Sequence, residues 1–263
     1  MEAFEALSNY YTVYNEDLRL TSKHGGIEFL TTVKYVEKYL AHGMKIVEIG
    51  AGTGRYSHYF ARNGYAVDAV ELVSNNIEVF KQNTKPGENV NIYQGNAVDL
   101  SFLPPDSYDI TLVLGPMYHL FTEKDKLAAL SEAIRVTKKG GVVFVAYCVS
   151  DPSIIDYGFA KGNIKRLLEE KLIDLETFTA LSTPKEVFVL HRKSDIDKLM
   201  KHFNVTRLHY LGTDMISRYL RDVLPQMDDE TFDIYLKYHF TICERQDMVG
   251  LSHHTLDIFR KEE

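Results

Sequence analysis

A chain of 263 residues with 45% hydrophobic content is long enough to bury one large α/β core with a smaller attached cap. A formal net charge of −7 favours solubility and supplies no long-range positive field, which argues against nucleic acid as a partner. The two cysteines, Cys148 and Cys243, lie far apart without CxxC spacing, so a secreted disulfide framework is excluded and a reducing compartment fits. The start, Met1-Glu2-Ala3-Phe4-Glu5, lacks the apolar core of a signal peptide, and no run approaches bilayer length. The expected location is the cytoplasm, with no membrane partner.

In chain order, Ile27, Leu30, Val33, Val36 and Leu40 recur at spacings of three and four and predict an amphipathic helix over 27–40, ended by Gly43. Lys45 to Ile49 reads as a β-branched strand. Glycines follow, then a helix from Arg55 to Arg62 closed by Asn63-Gly64. Val67 to Leu72 predicts a second buried strand, and Ser74 is the expected N-cap of a helix reaching about Gln82. Val90 to Tyr93 and Tyr108 to Leu114 predict strands three and four, with Pro104-Pro105 in the loop between them. A helix is expected from Glu123 to Val136, closed by Lys138-Lys139-Gly140-Gly141, whose lysines suit the negative end of its dipole. Val142 to Tyr147 is nearly continuous in apolar residues, as expected of a strand covered on both faces.

Beyond Pro152 the rhythm changes. Residues 153–193 hold one helical pattern, Ile164 to Lys171, and no strand until Glu186 to Val189. Asp195 to Phe203 predicts a helix, Val205 to Leu211 a strand, 214–248 an aromatic-rich helical stretch and His254 to Phe259 a last strand. Strands alternating with helices predict a doubly wound, mostly parallel, seven-stranded α/β sheet with helices on both faces. The expected organisation is an N-terminal helical lid over 1–43, a cofactor-binding core over 44–150, a cap insertion over 151–193, and completion of the sheet over 194–263 with a helical insertion at 214–250.

Glycines at 50, 52 and 54 let the backbone turn out of the first strand and approach a ligand closely. A dinucleotide loop, G-x-G-x-x-G, would place its third glycine where Arg55 stands. Glu48 gives direction: a carboxylate just before the loop repels a pyrophosphate and attracts a ligand carrying a sulfonium and an ammonium. At the end of the second strand, Glu71 can accept hydrogen bonds from both hydroxyls of a ribose. The run Val47-Glu48-Ile49-Gly50-Ala51-Gly52-Thr53-Gly54 resembles the first motif of class I S-adenosylmethionine-dependent methyltransferases, and Glu71 matches their second acidic position. A third match is Gly95-Asn96-Ala97, where that family usually carries Asp-Ala beside the adenine. The amide of Asn96 retains an acceptor for the adenine amino group, or Asn96 is only a turn residue. The resemblance covers about residues 44–150. It implies S-adenosyl-L-methionine as cofactor, bound by Glu48, Gly50, Ala51, Gly52, Gly54, Glu71, Leu72, Asn96, Ala97 and Leu114.

Methyl transfer from a sulfonium is an in-line displacement that needs positioning and water exclusion more than acids and bases. For an acceptor that must lose a proton, His119 after the fourth strand is the candidate base, with a packing role as its alternative. Tyr118 either orients the acceptor through its hydroxyl or lines the site with its ring. The aromatic segment Tyr10-Tyr11-Thr12-Val13-Tyr14-Asn15 is too apolar for a solvated tail. In small-molecule members of the family such a segment covers the cofactor, so Tyr11, Tyr14 or Arg19 would contact its methionine end, Arg19 pairing with the carboxylate. Docking on the sheet edge is the alternative. The histidines show no metal-ligand spacing, so no metal is expected.

The resulting expectation is a methyltransferase acting on an O, N or S atom of a small molecule, as monomer or homodimer, with the insertions at 153–193 and 214–250 setting acceptor choice. An RNA or protein methyltransferase would need a basic face or an Asp/Asn-Pro-Pro-aromatic motif after the fourth strand, where Gly115-Pro116-Met117-Tyr118 stands. A nicotinamide-dependent oxidoreductase is disfavoured by Glu48 and the loop spacing. A fold relative that binds the cofactor without catalysis is the remaining alternative.

Overall fold

The structure is a computed structural model and describes residues 2–13 and 22–262. Tyr14 and Arg19 lie outside the described residues. Helix α1 spans Glu2–Val13 and α2 spans Lys23–Glu37, where the Ser22 hydroxyl caps the N-terminus by accepting the Gly25 N–H at 3.1 Å. Of the apolar stripe, Ile27, Val33 and Val36 are buried but Leu30 is 40% exposed, and the helix starts earlier than 27 and stops before Leu40.

The next elements follow one another as strand and helix: β1 (Lys45–Ile49), α3 (Arg55–Arg62), β2 (Ala66–Glu71), α4 (Ser74–Asn83), β3 (Val90–Gln94), β4 (Tyr108–Val113), α5 (Glu123–Val136) and β5 (Thr137–Val149). After β5 come a π-helical turn at Ile154–Ala160, α6 (Ile164–Glu169), the two-residue β6 (Leu190–His191), α7 (Lys193–Met200), β7 (Val205–Gly212), α8 (Asp229–Ile242) and β8 (His254–Lys261). The sheet order is β3-β2-β1-β4-β5-β8-β7, with β6 on β5. Strands β1 to β5 pair in parallel, whereas β8 runs antiparallel between β5 and β7. Side-chain alternation along the strands makes two cores. Ile46, Leu112 and Phe144 pack with Val36 and Phe60 of α2 and α3 on one face. Val47, Val113 and Val145 pack with Leu130 of α5 and Leu199 of α7 on the other.

Three local expectations are corrected. Ser74 is the first helical residue of α4 and Val73 holds the N-cap position, because the Val73 N–H is taken by Glu71 Oε1 at 2.8 Å and Ser74 Oγ accepts from Gln94 Nε2 at 2.9 Å. Lys138 to Gly141 do not close α5. The strand begins at Thr137, whose hydroxyl donates to the Ala133 carbonyl at 2.6 Å, and Lys138 pairs with Asp109 at 2.8 Å instead of serving the helix dipole. Glu186 to Val189 form no strand. Pro184–Glu186 is a short 3-10 turn, Val187 turns the chain at φ +65°, and the Val189 N–H donates to the Tyr118 carbonyl at 2.8 Å. Only Leu190 and His191 extend, because β4 stops opposite Val145 and leaves Cys148 and Val149 as the free edge of β5.

Among the described residues no helix is long and apolar enough to cross a membrane.

Candidate functional site

The carboxyl ends of β1, β2 and β4, with the turn after β3, enclose a cavity of about 460 Å³. Two loops meet there because glycine permits it: Gly50 sits at φ +78°, and a Cβ on it would lie 2.6 Å from Cδ of Pro116. Gly52 turns at φ +54° and donates its N–H to Glu71 Oε2 at 2.8 Å. The other Glu71 oxygen accepts from Val73 N–H and from Asn76 Nδ2 at 3.3 Å. Glu71 therefore ties the glycine loop to the start of α4 while facing the cavity, and burial raises its carboxyl above the usual range against these bonds.

Glu48 is 2% exposed and accepts the Ser57 backbone N–H at 2.9 Å as well as the Ser57 hydroxyl. Burial pushes its carboxyl up to about 8; the two Ser57 bonds oppose the shift and the nearby Glu71 adds to it. A carboxyl in this state is one that a cation beside it would ionise.

Glu48, Gly50, Ala51, Gly52, Glu71, Leu72, Asn96, Ala97, Leu114, Tyr118 and His119 all line this cavity. Gly54 does not. It holds the N-cap of α3 at φ +92°, and a Cβ there would lie 2.5 Å from Phe80 and 2.6 Å from Nε2 of His58, so its glycine serves packing. Asn96 both lines the cavity and makes a turn, its Oδ1 accepting the Val98 N–H at 3.2 Å. Sequence reasoning missed Asn76, Tyr56 and Asp125, which also line it. The only signal for Asn76 was a polar residue on the inner face of α4, indistinguishable in sequence from a solvated one.

The Tyr118 hydroxyl donates to the Leu114 carbonyl at 2.6 Å, so its ring forms the wall, stacked on Phe188 with centroids 6.0 Å apart. His119 Nδ1–H donates to the Val187 carbonyl at 2.9 Å. That bond leaves Nε2 with the lone pair, and it accepts the Tyr11 hydroxyl at 3.0 Å. Burial lowers the His119 pKa to about 4 against the Val187 bond. His119 thus joins α1 to the chain before β6.

A second cavity, of about 570 Å³, adjoins the first and shares Tyr11 and Tyr118 with it. One side is apolar and comes from the stretch after β5, with Ile154, Leu167, Ile173 and Phe188. The other is polar and lies where β7 ends and β8 begins. Asp214 there accepts His254 Nδ1–H at 2.8 Å and the Ser252 hydroxyl at 2.6 Å, with Glu28 3.4 Å from the same His254 nitrogen. Burial works against the His254 charge, but Glu28, Cys148 and Asp214 outweigh it and hold the imidazolium well above the usual range. Asp156 is gripped by Arg221 at 2.8 and 3.0 Å and by Arg218 Nε at 3.1 Å. Among the described residues no group of three His, Cys, Asp or Glu side chains could hold a metal ion.

S-adenosylmethionine fits the residues of the first cavity. Buried Glu48 suits a cationic end, Glu71 at the end of β2 suits a diol, and Asn96 offers an amide beyond β3, in a volume ordinary for a cofactor of that size. A pyrophosphate would instead face two carboxyls. This sheet order, with an acidic residue at the ends of both β1 and β2, is that of the class I S-adenosylmethionine-dependent methyltransferase fold. Residues 46–141 match the methyltransferase domain family. The chain is 33% identical over 116 residues to demethylmenaquinone methyltransferase of Staphylococcus aureus, covering 43% of this chain and 46% of that one. It is 26% identical over 106 residues to an S-adenosyl-L-methionine-dependent Diels-Alderase of Talaromyces variabilis, covering 39% and 35%. The chain thus spans less than half the length of these curated relatives. In fold it superposes on phosphoethanolamine N-methyltransferase 1 of Haemonchus contortus, solved with phosphoethanolamine and S-adenosylhomocysteine, with TM-score 0.63 at 16% identity over 98% of this chain and 48% of that one.

Proposed function

We propose that this protein transfers a methyl group from S-adenosylmethionine to an O, N or S atom of a small molecule held in the second cavity. The observation that carries this reading is the wall of Tyr11 and Tyr118 common to both cavities, which would set a molecule in one beside a molecule in the other. When bound, the cofactor supplies an electrophilic methyl on a sulfonium, a leaving group that needs no acid. The chain then has to position and to exclude water. Glu48, Glu71 and Asn96 would hold the cofactor, Gly50, Ala51, Gly52, Leu72, Ala97 and Leu114 would shape its bed, and the rings of Tyr11, Tyr118 and Phe188 would keep water from the junction. The S. aureus and H. contortus proteins are both named as methyltransferases of small molecules, which supports the acceptor class.

Proton removal is the smaller part of the task. His119 is neutral at pH 7 and able to accept, yet its conjugate acid near 4 makes it a weak base, and its Nε2 already binds Tyr11. An acceptor whose nucleophilic atom carries a lone pair without deprotonation suits this site better than an alcohol.

Calorimetry with S-adenosylmethionine, S-adenosylhomocysteine and NAD tests the cofactor. Binding of the first two is expected, and binding of NAD alone would overturn the proposal. Screening small molecules for release of S-adenosylhomocysteine then tests transfer. The Diels-Alderase relative favours one second reading, a cofactor-bound fold that acts on its ligand without methyl transfer. It predicts ligand turnover with no S-adenosylhomocysteine released.

A further inference from the structure

His253 is 5% exposed, lines the second cavity, and has a hydrogen-bond partner on neither ring nitrogen. An imidazole buried with no hydrogen bond on either nitrogen carries a desolvation cost that Asp156 Oδ2, 4.0 Å from its Nε2, is too distant to remove, so such a group points to a missing partner. Two further donors line the same cavity. Arg218, also on the cavity wall and 40% exposed, places Nε on Asp156, and among the described residues its Nη atoms make no hydrogen bond. His254 commits Nδ1 to Asp214, and among the described residues its Nε2 makes no hydrogen bond. Charged groups of both signs surround these three side chains. Asp156 alone faces three cations, Arg218, Arg221 and Lys161, at 3.1, 2.8 and 3.7 Å. Asp214 and Glu28 face His254, and Glu186 also lines the cavity.

We propose that His253, His254 and Arg218 form a subsite for a compact oxyanion, a carboxylate or phosphate carried by the methyl acceptor. The inference rests on the second cavity being the acceptor site. Donors from a guanidinium and an imidazolium make strong charge-assisted bonds to such a group, and the neutral His253 adds a donor from whichever nitrogen carries its proton. The carboxylates of Asp156 and Asp214 orient these donors through their bonds to Arg218 Nε and His254 Nδ1. An ammonium in the same place would meet Arg218 and the His254 imidazolium. The apolar wall of Ile154, Leu167 and Phe188 would take the remainder of the molecule.

The test uses the full chain with inorganic phosphate and acetate as probes, at ionic strength held constant with chloride. Wild type is expected to bind at least one of them saturably by calorimetry, and the stronger of the two identifies the acceptor's anion. His253→Phe keeps a buried ring and removes only the unpaired nitrogens. It is expected to melt at the wild-type temperature or above while binding the probe about tenfold more weakly. Arg218→Gln should weaken binding at least as much. Absence of saturable binding to wild type, or wild-type affinity in folded His253→Phe, overturns the subsite. The two readings fail separately. Phosphate or acetate binding lost in His253→Phe, with no binding of S-adenosylmethionine, would leave the subsite standing and remove methyl transfer. An anionic acceptor turned over equally well by wild type and His253→Phe would remove the subsite alone.

Discussion

Glu48 and Glu71 face the same cavity with different partners, and this separates the expected effects of changing them. The Glu48 carboxyl is held protonated up to about 8 in the folded chain, against 4.5 for the ordinary group. Between these values the folded state binds more protons than the unfolded one, so this residue makes stability fall as pH rises from 4.5 to 8. Glu48→Gln should flatten that slope, read as the difference in melting temperature between variant and wild type across the window. A cationic ligand beside Glu48 prefers the ionised form. Its affinity should therefore rise with pH toward 8 and its binding should release a proton, which calorimetry in buffers of different ionisation enthalpy detects. Glu71→Ala should weaken cofactor binding by about 1.5–3 kcal/mol if its bonds resemble other charged hydrogen bonds. Unchanged affinity would remove Glu71 from the site. His119, with a pKa lowered to about 4, should put no limb on the rate profile between pH 6 and 8. A limb there that His119→Gln abolishes would establish it as a base at neutral pH.

At the scale of elements, the N-terminal helix is tied down at the junction of both cavities. Tyr11 on α1 donates to His119 Nε2, and its carbonyl accepts from Asn75 Nδ2 at 3.3 Å. Tyr11→Phe should speed amide exchange in α1 and lower kcat/KM while leaving the sheet's protection unchanged. Equal exchange in α1 of both proteins would show that the hydroxyl does not hold it. The start of α3 is a contrasting case. Gly54 combines a positive φ with no room for a Cβ, so Gly54→Ala should destabilise the fold by about 1–3 kcal/mol, seen in denaturant unfolding. The loop 50–54 was readable in sequence as a glycine loop, but the division of labour between Gly50 at the cavity and Gly54 in packing was not. That division depends on Pro116 and Phe80, far away in the chain.

Across the whole molecule, burial decides the charge of most interior histidines. His119, His239 and His253 are lowered to about 4 and His191 to about 3, each chiefly by burial. Unfolding lets them take up protons near 6.5, so stability should fall as pH drops from 6.5 toward 4. His254 acts oppositely, since its contribution is complete below 6.5 and fades as pH rises through its elevated pKa. Calorimetric melting from pH 7 to 4 should show the decline, and a flat profile would overturn the assignment of neutral buried imidazoles.

The amino-acid sequence by itself determined the strand and helix order, the parallel core and the cofactor corner. These depend on local periodicity, on glycine spacing and on two acidic residues at strand ends, all written within short stretches such as 45–54 and 67–72. Tertiary structure alone decided that Lys138 enters a strand, that 186–189 crosses the site instead of extending, and that His119 has both nitrogens engaged. It also decided what gathers in the second cavity. Glu28, Asp156, Asp214, Arg218, His253 and His254 come from four separate stretches, and no local pattern records that strands β5, β7 and β8 bring them to one edge. The residues proposed to hold the cofactor are nearly contiguous and those proposed to hold the acceptor become neighbours only on folding, which is why the first were legible and the second were not.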